Sequence, residues 1–127
     1  MAIIGLGNDL VEISRIEAVV TGNHCKRFVK RVLTDSEQEI FNQHSNPERF
    51  LAKRWAAKEA AAKALGTGVA GGVSFQDFNV HNKDSGQPVL TLSGIAKQLA
   101  DKAGVRHCWL SLSDEKDHAL ATVVLES

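Results

Sequence analysis

Two cysteines, Cys25 and Cys108, are all that the 127-residue chain has, and they form no C-x-x-C pair. A structural zinc site needs more ligands at closer spacing, so none is expected. Nothing points to an oxidising compartment, and both cysteines read as small buried thiols. Residues 1–9 contain no basic region followed by a long apolar run, so they do not read as a secretory signal. No stretch approaches the roughly 18 apolar residues of a membrane span, and the cytoplasm is the expected compartment. Net charge is missing too, with 15 Lys and Arg against 15 Asp and Glu. A global field drawing in nucleic acid or an acidic membrane is therefore not expected, and any electrostatic recognition must come from local patches.

What is there is ordinary globular composition, 43% apolar and 24% charged. The length predicts one domain, 1–127, with a real core. Residues 2–6 read as a strand and 11–20 as a helix, with Gly22 a plausible stop. Residues 26–33 set Phe28, Val29, Val32 and Leu33 against Lys26, Arg27, Lys30 and Arg31, an amphipathic helix with a basic face. Thr34 with Glu37 three residues on predicts a capping box for a helix to about His44. Pro47 opens the longest helix, rich in alanine, which Gly66 closes. After a glycine-rich loop come strands over 75–81 and 89–92, a helix over 94–103 with Ile95 and Leu99 inward, and strands over 107–113 and 119–125. The order predicts an α+β fold, a small antiparallel sheet packed with a long central helix and shorter helices.

Two glycine-rich pieces invite a nucleotide reading, but both fail as standard motifs, and each taken alone reads as a turn. Gly5-Leu6-Gly7 lacks the third glycine of a dinucleotide fingerprint, and residues 66–72 lack the Gly-Lys-Ser/Thr ending of a phosphate loop. Asp9, just past the first strand, reads either as a helix cap or as a ligand. Glu59 and Lys63 share a helix face, as a surface ion pair or as site residues. Arg54 and Lys58 share a neighbouring face, as a solvated basic edge or a phosphate contact. The surrounding alanines either leave room for a ligand or a neighbouring subunit, or are simply good helix formers. Trp55 and Trp109 read as core aromatics in preference to base-stacking platforms.

The segments GLGNDLVEISRI (5–16) and FLAKRWAAKEAAAKALGTG (50–68) closely resemble the holo-acyl-carrier-protein synthases. These form the small, single-domain branch of the 4′-phosphopantetheinyl transferases. FQDF (75–78), GQP (86–88) and ALATVV (119–124) extend the likeness along essentially the whole chain. The resemblance implies transfer of 4′-phosphopantetheine from coenzyme A to a serine of apo-acyl carrier protein, with release of adenosine 3′,5′-bisphosphate. It implies Mg²⁺ held by Asp9 and Glu59, and Lys63 at the phosphates or the leaving group. It implies coenzyme A contacts at Arg54, Gly66 and Pro88, and a homotrimer with active sites between subunits. One departure stands out: many members carry histidine after the Ser-Leu-Ser strand, where this chain has Asp114, with His107 and His118 the nearest histidines.

The chemistry suits those residues. Breaking a pyrophosphate needs positive charge bridging its oxygens and more on the departing group. Mg²⁺ keeps several waters, so one or two carboxylates suffice. Glu59 is the expected acceptor of the serine proton, since no free histidine sits in the matched segments. Arg15 and Arg27, with Lys26, Lys30 and Arg31, are the expected docking surface for an acidic carrier. Two rivals are a non-enzymatic coenzyme A or nucleotide-binding module and a nucleic-acid binder. Retention of Asp9 and Glu59 argues against the first, and zero net charge without aromatic-basic interleaving against the second.

Overall fold

Along Ile3–Glu12, Gly5, Gly7, Asp9 and Val11 turn to one side while Ile4, Leu6, Asn8 and Leu10 turn to the other and stay exposed. That two-residue period makes the segment a strand, β1. The computed structural model describes residues 1–127. After β1 come helices α1 (Ile13–Val20), α2 (Cys25–Val32), α3 (Asp35–Gln43) and α4 (Pro47–Leu65). A 3₁₀ turn, Phe75–Asp77, leads into the hairpin β2 (Phe78–Asn82) and β3 (Pro88–Leu92). Then follow α5 (Gly94–Ala103), β4 (His107–Asp114) and β5 (His118–Glu126). The fold is α+β, as expected, and both sheets are antiparallel, with strand orders β1-β5-β4 and β2-β3.

The first strand runs farther than its sequence predicts. Asp9 lies inside it and not past its end, and α1 starts at Ile13, not Val11. Pairing of β1 with β5 from one end to the other supplies the hydrogen bonds that hold this length. Gly5 and Gly7 are packing glycines, not turn glycines. A Cβ on either would drive into the carbonyl oxygens of Ala64 and Ala60, so their bare backbone is what lets β1 lie directly on α4.

Helix α4 is the centre of the molecule. Asn46 Oδ1 accepts from the Arg49 amide at 3.2 Å, Pro47 occupies the first turn, and Gly66 closes the helix at φ 82°. Leu51, Ala52, Ala56, Ala57, Ala60, Ala61 and Ala62 are buried within the chain itself, so the alanines serve core packing. They are small because α4 is packed on opposite sides. The β1-β5-β4 sheet covers one side, and α1, α3 and the β2-β3 hairpin lie along others.

Other side chains depart from expectation. Lys58 is wholly buried and Arg54 nearly so, which excludes a solvated basic edge. Trp55, by contrast, is the core aromatic expected, 5.4 Å from the Phe28 ring and 5.1 Å from Phe75. Trp109 is half-exposed on the outer sheet face, because the β4 alternation turns it away from α4. In α5 the buried positions are Ala96 and Ala100, with Ile95 partly exposed. Cys25 and Cys108 are half-buried free thiols.

Candidate active site

Asp9 projects from the face of β1 that meets α4, two residues beyond the close approach at Gly7. Opposite it, α4 carries Glu59 and, one turn later, Lys63. Lys63 Nζ donates to Asp9 Oδ1 and to the Asn8 carbonyl oxygen, both at 3.0 Å. The ammonium expected to pair with Glu59 thus bonds the strand instead. Burial pushes the Glu59 carboxyl above its ordinary range, and the Asp9 negative charge adds to that, while Lys63 works against it. Three groups from two elements therefore feel one another in a partly covered place.

The donor set fits Mg²⁺. Two like-charged carboxylates outweigh one ammonium, and the negative charge left over attracts a divalent cation, whose remaining positive charge is available to phosphate oxygens. No group of three His, Cys, Asp or Glu side chains assembles anywhere, so a closed protein cage of the structural-zinc kind is not formed.

Nine residues before Lys63, about 14 Å along the helix axis, Arg54 forms a second cluster. Its Nη2 donates to Asn82 Oδ1 at 3.0 Å, and its guanidinium covers the Phe50 ring at 4.6 Å. Its Nε is buried without a hydrogen-bond partner, 3.9 Å from Glu37 Oε2. A cavity of about 380 Å³ opens there, lined by Arg54, Arg49, Lys53, His44, Phe50 and Asn82. Asp114 reaches its cations, 2.8 Å from Arg49 and 3.4 Å from Lys53. Burial alone would raise the Asp114 carboxyl, but hydrogen bonds and charge from Arg49 and Lys53 hold it below its ordinary range. A somewhat larger polar cavity, about 410 Å³ near Glu12 and His118, contains none of Asp9, Glu59, Lys63 or Arg54.

Residues 5–123 match the model of the 4′-phosphopantetheinyl transferase superfamily. The chain belongs to this superfamily. A holo-[acyl-carrier-protein] synthase from Vibrio campbellii is 54% identical over 127 residues, all of both chains. The crystal structure of the holo-[acyl-carrier-protein] synthase from Neisseria meningitidis superposes with a TM-score of 0.89 at 38% identity, covering 99% of this chain and 100% of that one. A Bacillus anthracis holo-(acyl-carrier-protein) synthase in complex with CoA (3′,5′-ADP) gives 0.81 at 38% identity, covering 98% and 97%.

In this transferase-superfamily chain the other residues singled out by sequence lie on several elements. Gly66 caps the helix just beyond Lys63. Pro88 opens β3 opposite Asn82, the residue that holds Arg54. Arg15 and Arg27 stand exposed on α1 and α2 and belong to neither cluster. The sequence reading missed Glu37 as more than a cap. Its carboxylate is fully buried, receives the Thr34 amide at 2.8 Å and pairs with Lys58 Nζ at 2.6 Å. Only the capping-box spacing marked Glu37, and nothing in the sequence connected it to Lys58.

Proposed function

We propose that the chain transfers 4′-phosphopantetheine from coenzyme A to a serine of apo-acyl carrier protein, releasing adenosine 3′,5′-bisphosphate, in the cytoplasm. The observation that carries this reading is the meeting of Asp9, Glu59 and Lys63 where β1 crosses α4, within a chain that matches holo-acyl-carrier-protein synthases end to end.

Asp9 and Glu59 would hold Mg²⁺, which when bound supplies positive charge against the diphosphate. Glu59 takes the proton of the attacking serine hydroxyl. The serine oxygen bonds to the phosphorus nearest the pantetheine arm, and the bond from that phosphorus to the bridging oxygen breaks. Lys63, half-exposed beside Asp9, places an ammonium where the departing bisphosphate gathers negative charge. Arg54, at the wall of its cavity, offers its planar guanidinium to substrate phosphate, and Gly66 and Pro88 line the coenzyme cleft.

Two surfaces complete the reading. Arg15 and Arg27, exposed with Lys26, Lys30 and Arg31, suit an acidic carrier protein. The outer sheet face exposes Leu6, Leu10, Trp109 and Leu120. A sheet face that apolar supports burial in a homo-oligomer, a trimer in this reading, with active sites between subunits. No helix is long and apolar enough to cross a membrane. Mass spectrometry of an apo-acyl carrier protein incubated with the chain, coenzyme A and Mg²⁺ tests the whole. A gain of one phosphopantetheine is expected, and an unchanged carrier mass overturns the reading.

A further inference from the structure

Glu37, in the first turn of α3, ties α4 and β2 to the start of that helix. One oxygen accepts from the Thr34 amide at 2.8 Å and from Lys58 Nζ at 2.6 Å, the other from the Val80 amide at 2.8 Å, and Arg54 Nε stands 3.9 Å from that second oxygen. Lys58 spends its remaining donors on the carbonyls of Val32, at 2.6 Å, and Phe75, at 3.2 Å. The arrangement has an imbalance. One buried carboxylate faces two buried cations, and the ammonium takes its nearest oxygen. Arg54 is left with an attraction but no hydrogen bond at Nε. Arg54 also lines the cavity of about 380 Å³, so the surplus positive charge stands at a wall that an anion can reach.

We infer that Glu37 is a positioning residue for substrate binding: it holds the Arg54 guanidinium flat against Phe50 and facing the cavity, poised for a phosphate. This rests on the reading above that Arg54 meets a coenzyme A phosphate. Without the carboxylate, Arg54 keeps Asn82 and the Phe50 ring but loses its only anionic partner.

The test separates positioning from stability. Glu37→Gln alone leaves the Lys58 ammonium buried without its partner, which destabilises any fold. Glu37→Gln combined with Lys58→Met removes both charges together and restores most of the melting temperature. Expected for this double variant, by calorimetric titration with coenzyme A, is binding about tenfold weaker. Its KM for coenzyme A rises in parallel, with kcat within about twofold and the carrier KM unchanged, because only ground-state positioning is lost. Arg54→Lys is the companion measurement, and it too weakens coenzyme A. If the double variant binds coenzyme A as the wild type does while Arg54→Lys weakens it, the role given to Glu37 is wrong and that of Arg54 stands. If Arg54→Lys itself leaves coenzyme A binding unchanged, both fall. Should the double variant not fold, Glu37→Gln alone, titrated below its own melting temperature, is held to the same result.

Discussion

Lys63 Nζ sits 3.0 Å from Asp9 Oδ1, joining residues 54 positions apart in the chain. Half the Lys63 side chain is in solvent, so this pair adds at most about 1 kcal/mol to stability. Its value lies in where it holds the ammonium. Lys63→Met should therefore leave the melting temperature within a few degrees of wild type. By contrast, kcat should fall by about 10²–10³, the usual cost of one preorganised charge-stabilising donor. Steady-state transfer assays beside thermal denaturation check the split. A variant that loses stability but keeps kcat would place Lys63 in the scaffold, not in the chemistry.

Glu59 titrates above the ordinary carboxylate range, through burial first and the Asp9 charge second. As a base it works only when ionised. A divalent cation on the same carboxylate pulls the other way, so in the proposed role the acid limb of kcat/KM should move to lower pH as Mg²⁺ is raised, and rate should fall as pH drops through it. Stability runs the other way. The folded state holds the Glu59 proton more tightly than the unfolded chain does, so stability declines as pH rises through the folded-state pKa. Glu59→Gln should then cost about 10²–10⁴ in kcat while melting at or slightly above wild type at pH 7. A variant that melts well below wild type would contradict the desolvation account.

Gly7 meets α4 backbone to backbone. A Cβ there would collide with the Ala60 carbonyl oxygen and stand 2.7 Å from the Ala64 amide nitrogen, neither of which can rotate away. Gly7→Ala should destabilise by about 1–3 kcal/mol, the range for overpacking. Activity should drop further than the unfolded fraction explains, because Asp9 would be pushed off α4. Chemical denaturation paired with activity measured on fully folded protein separates the two effects.

Much of this was legible in local chemistry. Thr34 with Glu37, Pro47 and Gly66 marked helix ends, because caps act on backbone groups a few residues away. The length of β1 was not legible, since Gly5 and Gly7 look like turn residues until α4 is laid against them. Lys58 and Arg54 looked solvated because their partner, Glu37, lies 21 and 17 residues away in sequence and only tertiary packing buries all three. Asp114, in the place where the family resemblance leads one to expect histidine, finds its meaning in the same way, through Arg49 and Lys53 on a different element. The β1-β5-β4 strand order likewise depends on contacts between the two ends of the chain. The three groups at the β1–α4 crossing were readable one by one from the matched motifs, but their coupling was not.

Arg15 and Arg27 project into solvent from α1 and α2 and touch neither cluster on α4. If they dock the carrier as proposed, reversing their charge should act on encounter with the carrier and leave the α4 clusters as they are. Arg15→Glu or Arg27→Glu should raise the apparent KM for acyl carrier protein by roughly five- to tenfold, about 1–1.4 kcal/mol each. The KM for coenzyme A and the melting temperature should stay as they are. Salt should reproduce the effect in the wild type, since exposed charges are screened over about 10 Å at 0.1 M, and should affect the reversed variants less. Carrier KM values that match wild type in both reversals would move the docking surface off this face.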